Sequence, residues 1–175
     1  LGVGQGYLLV TPLQLAHVAG VLSERGRSFQ PRLVTAWRIG QGDAKPIAPM
    51  PQPAVTGISD TDWDLVIRGM VGAMTYGTAA ASGKGTGYTM AGKTGTAQVF
   101  SLAPNVRYNA KTVAERLRDH SWFIAFAPVE APRIAVCVLV ENGGFGASVA
   151  APIARKVIDA YLIGKTTAVA GGATP

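Results

Sequence analysis

The chain has 175 residues, of which 48% are hydrophobic and 15% charged, so it can bury the core of one domain and is not an intrinsically disordered sequence. Sixteen basic and ten acidic residues give a net charge of +6, but the basic residues are dispersed and not interleaved with aromatic ones, which argues against nucleic acid as a partner. The single cysteine excludes an internal disulfide and a multi-cysteine metal site, and no uninterrupted apolar run is long enough to cross a membrane.

The first predicted helix begins after Thr11. Thr11 fits the N-cap, Pro12 the first helical position, and Gln14 the reciprocal half of a capping box. The residues that follow, up to Leu22, are apolar on nearly every side, and Gly26 is suited to end the helix. We therefore expect this helix to be buried inside a larger body.

A second helix is predicted after a proline-rich segment. Residues 32–39 favour a short strand, and residues 44–53, with four prolines, favour an irregular loop. Ser59 is then a suitable N-cap with Asp62 three residues later, and the helix is expected to end before Gly77. Apolar residues recur through it at helical spacing, at Trp63, Val66, Ile67, Met70, Val71 and Met74.

The rest of the chain favours a small antiparallel sheet and a covering helix. The predicted elements are a glycine-rich, mobile segment at 79–87, an extended segment at 88–100, a solvated polar arm at 105–119, strands at 122–127 and 134–140, a helix at 149–162 and a frayed tail at 164–175. Two helices, then three strands in antiparallel succession, then a last helix predict an α+β fold rather than alternating α/β.

Two interpretations compete for the most informative stretch of the sequence. The residues from Gly87 to Thr94 fit the phosphate-loop pattern G-x-x-x-x-G-K-[ST], in which backbone N–H groups and a following helix bind phosphate. That pattern needs a buried strand before it and a helix after it, and neither is predicted here. A nucleotide-binding protein is therefore the alternative function.

The second interpretation takes Lys93, Thr94 and Gly95 as the Lys-Thr-Gly element of active-site serine acyltransferases, which lies on a strand beside a cleft. Lys93 would supply positive charge for a substrate carboxylate and for the proton network of the serine. Gly95 would let a substrate backbone approach the strand. The hydroxyls of Thr94 and Thr96 offer hydrogen bonds, and the backbone N–H of Thr96 can stabilise an oxyanion.

Five segments extend the pattern beyond this triplet: GQGY at 4–7, TPLQLA at 11–16, AGKTGTAQ at 91–98, AERLRDH at 114–120 and ENGG at 141–144. Together they resemble the class B penicillin-binding proteins, and residues 108–120 are most similar to the members that act in cell elongation in Gram-negative bacteria. The resemblance runs from Leu1 to Leu162. It implies a partial transpeptidase fold of the penicillin-binding and β-lactamase type, with a three-stranded antiparallel part of the sheet packed with helices.

The resemblance also implies a reaction, acyl transfer at a serine. The serine attacks the D-Ala-D-Ala bond of a peptidoglycan stem peptide, D-Ala leaves, and the amine of a neighbouring stem takes the acyl group. Lys93 and Thr96 would be catalytic, and Thr94, Gly95 and Thr96 would bind the stem peptide or a β-lactam. No metal and no cofactor is implied.

The resemblance further implies a cellular setting. It places the protein at the periplasmic face of the bacterial inner membrane, held by an N-terminal helix that this sequence does not contain. The implied partners are a polytopic glycosyltransferase and other proteins of the elongation complex.

The chain departs from the family pattern because it lacks the nucleophile. None of its seven serines is followed by Lys at the third position or by Asn at the second, so the Ser-x-x-Lys and Ser-x-Asn motifs are absent. The sequence also begins at Leu1 without a methionine or a signal-peptide pattern. We therefore expect residues 1–163 to be the C-terminal half of a transpeptidase domain, inactive without the N-terminal half of the same protein. We expect the strand at 134–140 to have an unpaired edge and residues 164–175 to be disordered.

Three smaller features were weighed against this interpretation. Asp119, His120 and Ser121 invite a catalytic triad, but adjacent residues of a strand point to opposite faces and cannot converge. Cys137 lies among valines in a strand and is expected to be a buried small hydrophobe. The polar arm at 105–119 is suited to docking a protein, so an interaction module without chemistry is a third hypothesis.

Overall fold

The structure, a computed structural model, describes residues 8–99 and 113–164. The helices are α1 (Pro12–Ser23), α2 (Asp60–Thr75), α3 (Ala80–Gly83) and α4 (Ala150–Ile163), and a 3-10 turn covers Glu115–Leu117. Four strands have two residues each: β1 (Ser28–Phe29), β2 (Ala36–Trp37), β3 (Lys45–Pro46) and β4 (Pro51–Gln52). Three longer strands follow: β5 (Ala91–Ala97), β6 (His120–Ala127) and β7 (Ile134–Val140).

The three longer strands form one antiparallel sheet in the order β5-β6-β7, which confirms the predicted α+β class. Lys93 lies opposite Ile124, and Thr96 lies opposite Ser121. The short strands pair separately, β1 with β4 and β2 with β3. Among the described residues no strand pairs with the outer edge of β7, as expected, nor with the outer edge of β5.

Helices cover both faces of this sheet because successive side chains of each strand point to opposite sides. One face packs against α4, and its buried residues include Phe123, Ala125, Ala127, Ala150, Ala154 and Ile158. The other face packs against α2 and α1, and its cluster includes Ala91, Phe126, Ile67, Met70 and the partly buried Leu22. Burying an aromatic side chain such as Phe123 stabilises the fold by about 1.5–3 kcal/mol.

Both predicted helix starts are confirmed by their caps. Gln14 N donates to Thr11 Oγ1 at 3.2 Å, and Thr11 N donates back to Gln14 Oε1 at 2.8 Å. Ser59 Oγ accepts from Asp62 N at 3.2 Å, and α2 ends at Thr75, before Gly77, as the sequence predicts. Such caps contribute about 1 kcal/mol each to helix stability.

Helix α1 is predicted to be buried inside a larger body, and the described residues cover only one side of it. Only Ala19 of α1 is buried, and 64% of the Leu13 side chain is exposed. One side of α1 packs on β6 and β7. Its remaining apolar surface has no partner among the described residues.

The segment at 79–87 is ordered by packing, contrary to the prediction of a mobile loop. Residues 80–83 form α3, and Ala79 and Ser82 are buried. Arg155 of α4 explains this, because its guanidinium donates to the carbonyls of Ser82, Lys84 and Gly85.

Four other expectations change or lie outside the described residues. The strand expected at 32–39 is reduced to β2, and the loop at 44–53 contains β3 and β4. Of the arm at 105–119, only 113–119 is described, and it contains the 3-10 turn. Of the tail at 164–175, only Gly164 is described. No helix among the described residues is long and apolar enough to cross a membrane.

Candidate active site

The Lys-Thr-Gly element lies in the middle of β5, at the edge of the sheet. Strand β6 pairs with one side of β5, and no strand of the described chain pairs with the other. Gly92, which precedes Lys93, is required by packing, because a Cβ there would lie 2.6 Å from Phe123 Cζ and 2.9 Å from Met74 Sδ. The end of helix α2 therefore packs closely against the start of the strand.

Lys93 is exposed, and its Nζ donates to the backbone oxygen of Thr94 at 2.7 Å. The ion pairs among the described residues do not include Lys93. Its charge is therefore not neutralised by a carboxylate in the described part of the chain. A fixed, uncompensated ammonium group at a strand edge is suited to an anionic ligand.

Thr94 and Thr96 project to the same face of β5, because they are two residues apart in a strand. Thr94 is partly buried, and its Oγ1 lies 3.1 Å from Oγ1 of Thr78, in the turn that follows α2. The sequence did not single out Thr78. A lone threonine after a helix gives no signal that it meets a strand residue far along the chain.

Gly95 contacts a second segment, residues 144–146, which the sequence did not connect with β5. A Cβ on Gly146, between β7 and α4, would lie 2.4 Å from the backbone oxygens of both Gly95 and Trp122. Gly144 N donates to Asp119 O at 2.8 Å, which fixes the same segment to the start of β6. The segment therefore forms a wall over the middle of β5.

As predicted, Asp119, His120 and Ser121 do not form a catalytic triad. Ser121 Oγ accepts a hydrogen bond from Ala150 N at 3.1 Å and so holds the start of α4. His120 Nδ1 accepts from Asn142 N at 2.9 Å. Burial raises the pKa of Asp119, and the neighbouring His120 opposes that shift.

Cys137 is only partly buried, contrary to the expectation. Burial still raises the pKa of its thiol, which therefore has less thiolate character than an exposed cysteine. The residue has no role in the site.

The phosphate-loop alternative does not fit this geometry. Strand β5 continues from Ala91 to Ala97, so Lys93 and Thr94 lie inside a strand. No helix begins between Lys93 and Val99, where the description of this part of the chain ends. A phosphate loop binds its ligand at a helix N-terminus, which is absent from this position.

A groove of about 440 Å³ continues from the second half of β5 toward the start of α1. Gly95, Thr96, His120 and Trp122 line its floor, and Leu9 is among the apolar residues on the other side. Within the described residues no cluster of three possible metal ligands occurs. The polar groups of the site thus include hydroxyls, backbone amides and the Lys93 ammonium, together with the Gln98 amide and the His120 imidazole in the groove.

Comparison with known sequences gives one family and a consistent set of relatives. The chain matches the family model described as penicillin binding protein transpeptidase domain over residues 1–159. It is similar to the peptidoglycan D,D-transpeptidase MrdA of Haemophilus influenzae, with 40% identity over 93% of this chain and 25% of that protein. The Escherichia coli MrdA is 37% identical over 94% of this chain and 26% of its own length. The chain thus spans about a quarter of the length of the curated relatives it matches.

Solved structures agree with the sequence comparison. The crystal structure of Pseudomonas aeruginosa PBP2 is similar with a TM-score of 0.73 and 37% identity, over 93% of this chain and 33% of that one. Penicillin-binding protein A from Mycobacterium tuberculosis, a ceftriaxone acyl-enzyme complex, gives a TM-score of 0.74 and 33% identity, over 91% of this chain and 34% of that one. The resemblance inferred from the sequence is confirmed, and the relatives include proteins named MrdA and PBP2. The chain belongs to the penicillin-binding protein transpeptidase domain family.

Proposed function

We propose that the protein containing this chain is a peptidoglycan D,D-transpeptidase of cell-wall elongation, and that this chain supplies the strand of its active site that recognises the substrate. The observation that carries the proposal is the Lys93–Thr96 sequence on a strand whose outer edge no described strand covers. The Lys93 ammonium has no carboxylate partner among the described residues, and the hydroxyls of Thr94 and Thr96 share one face of the strand. The relatives named MrdA support the reaction class.

In this proposal a serine outside the chain attacks the carbonyl carbon of the penultimate D-Ala of a stem peptide. The C–N bond to the terminal D-Ala breaks, its nitrogen takes up a proton, and D-Ala leaves as a free amine. The amine of a second stem then attacks the acyl group and displaces the serine, and the new amide bond is the cross-link. Water in place of that amine gives hydrolysis. A β-lactam acylates the same serine but keeps its leaving group attached.

Four consecutive residues of β5, from Lys93 to Thr96, have roles that their positions support. Lys93 neutralises the terminal carboxylate of the donor stem or the carboxylate of a β-lactam, and Thr94 donates a hydrogen bond to it. Gly95 leaves room for the peptide backbone. The N–H of Thr96 binds the oxyanion that forms at the attacked carbonyl, a contribution typically worth about 10²–10³ in rate.

The direction of the Thr96 N–H is supported by a hydrogen bond. Thr94 O accepts from Lys93 Nζ at 2.7 Å, which indicates that this carbonyl is accessible from the open edge. In an antiparallel strand, the N–H and C=O groups of alternate residues point to the same edge. This alternation supports a Thr96 N–H directed to the same edge, toward the carbonyl of a bound peptide.

The missing nucleophile implies a second part of the same protein, the N-terminal half of the transpeptidase domain. The open edge of β7 and the exposed apolar side of α1 support this, because both are surfaces that such a half would cover. The periplasmic face of the inner membrane, an N-terminal anchoring helix, and glycosyltransferase and elongation-complex partners belong to the same proposal. The named relatives are their only support.

Labelling of the full-length protein with a fluorescent penicillin tests the recognition role. Lys93→Gln removes the ammonium and should lower the second-order labelling rate constant by about 10- to 100-fold, since a hydrogen bond to a charged group contributes about 1.5–3 kcal/mol. The matched control is Lys84→Gln, which removes an exposed ammonium after α3 and should leave labelling unchanged. Equal labelling of Lys93→Gln and the wild type would refute the role.

A further inference from the structure

Thr78 is the described residue whose side chain meets the Lys-Thr-Gly element from outside the sheet. Its Oγ1 lies 3.1 Å from Thr94 Oγ1, a hydrogen-bonding distance between two hydroxyl groups. Either oxygen can be the donor in the absence of a ligand. The bond joins the turn after α2 to the strand that carries the candidate site.

The backbone around Thr78 is fixed by its neighbours. Gly77 N donates to Gly72 O at 2.8 Å, and Ala79 N donates to Ala73 O at 3.0 Å, so the turn is closed onto the last turns of α2. Ala79 is only 1% exposed. Thr78 thus presents its hydroxyl from a fixed turn, although the residue itself is exposed.

A bound carboxylate would set the direction of this hydrogen bond. A carboxylate accepts hydrogen bonds only, so Thr94 must use its single proton to donate to the anion. Its oxygen can then still accept, and the Thr78 hydroxyl is the group in place to donate to it. Hydrogen bonds in such a chain strengthen one another.

We propose that Thr78 is a positioning residue for the acyl-transfer reaction: its hydroxyl donates to Thr94 and directs the Thr94 proton to the substrate carboxylate. The inference rests on the proposed function, in which Thr94 binds that carboxylate. Thr78 itself touches neither the substrate nor the nucleophile.

The test uses the full-length protein and the second-order rate constant for acylation by benzylpenicillin. Thr78→Val keeps the shape and removes the hydroxyl, and it should lower the rate constant by about 3- to 10-fold, the range for one neutral hydrogen bond. Thr78→Ser keeps the hydroxyl and should stay within about 2-fold of the wild type. Thr75→Val is the matched control, because the Thr75 hydroxyl donates only to carbonyls of its own helix, and it should leave the rate constant unchanged.

The methyl ester of benzylpenicillin separates positioning from general destabilisation. The ester has no anionic acceptor, so Thr78→Val should change its acylation little, whereas a merely structural defect would slow acid and ester alike. The inference is overturned if Thr78→Val acylates at the wild-type rate, or if it slows both compounds equally.

Thr94→Val distinguishes failure of this inference from failure of the proposed function. If Thr94→Val slows acylation and Thr78→Val does not, only the role of Thr78 is lost. If Thr94→Val has no effect, the proposed role of Thr94 fails and the inference fails with it. If both single variants act, the double variant should be no slower than Thr94→Val, because Thr78 works through Thr94.

Discussion

Gly146→Ala is a sharp test of how the wall over β5 is built. The added Cβ would lie 2.4 Å from Gly95 O and 2.4 Å from Trp122 O, whereas ordinary contacts begin at 3.4 Å. Both oxygens belong to the backbone, so no side-chain rotation relieves the contact. The wall and the sheet must therefore separate by about 1 Å, in an interior that is close-packed.

Neither partner can move without losing other interactions. The wall is held by the hydrogen bond from Gly144 N to Asp119 O, and α4 begins on the buried hydroxyl of Ser121. Overpacking of this kind costs about 1–3 kcal/mol of stability. A displacement of about 1 Å in a substrate-positioning group can cost about 10²-fold in rate. We expect Gly146→Ala to lower the acylation rate constant by about 10- to 100-fold and to lower the melting temperature.

The assay is penicillin acylation together with thermal unfolding of the full-length protein. Gly69→Ala in α2 is the control, because a Cβ there meets no atom within 4 Å. Alanine is favoured over glycine inside a helix by about 0.5–1 kcal/mol, so the control should be slightly stabilised and fully active. Wild-type acylation and stability in Gly146→Ala would refute the close packing of this wall on β5.

Two further substitutions test other parts of the account. Thr96→Pro removes the N–H assigned to the oxyanion and should slow acylation by about 10²-fold or more; an unchanged rate would contradict that assignment. Tyr88→Phe removes a hydroxyl that donates to Asp159 at 2.7 Å, and it should lower the free energy of unfolding by about 1 kcal/mol, with the exposed Tyr161→Phe as control. Burial, followed by the bond to Asp159, raises the pKa of Tyr88, so the folded protein favours the neutral phenol. The difference in unfolding free energy between the wild type and Tyr88→Phe should be full below pH 10, the pKa of an unfolded tyrosine. It should decline as the pH rises from there through the higher pKa of the folded state. A difference that is absent below pH 10 would contradict this role of the Tyr88 hydroxyl.

The elements that depend on local pattern were predictable from the sequence. Thr11 and Ser59 cap their helices, and β6 and β7 appear where apolar residues cluster. The position of Lys93 on an edge strand also followed, because the Lys-Thr-Gly element is typical of a strand at the edge of a sheet beside a cleft. These features depend on residues that are close together in the chain, so they can be recognised from the sequence alone.

The features that depend on tertiary approach were not predictable. The contacts of Thr78 with Thr94 and of Gly146 with Gly95 join positions far apart in the chain. The small residues at 79–87 suggested mobility, but small side chains also allow close packing: a Cβ on Gly83 would lie 1.9 Å from Met74 O. Pattern alone shows that a surface is apolar but not what covers it, so the sequence predicts a buried α1 without identifying what packs on its exposed side.

The central claim is that this chain recognises substrate for a serine that lies outside it. The most direct test is intact-mass analysis of the full-length protein after reaction with benzylpenicillin, followed by peptide mapping of the adduct. The account predicts one penicilloyl group on a serine outside residues 1–175, with a lysine three positions later. An adduct on any of the seven serines of this chain, or a full-length protein that is not acylated, would contradict it.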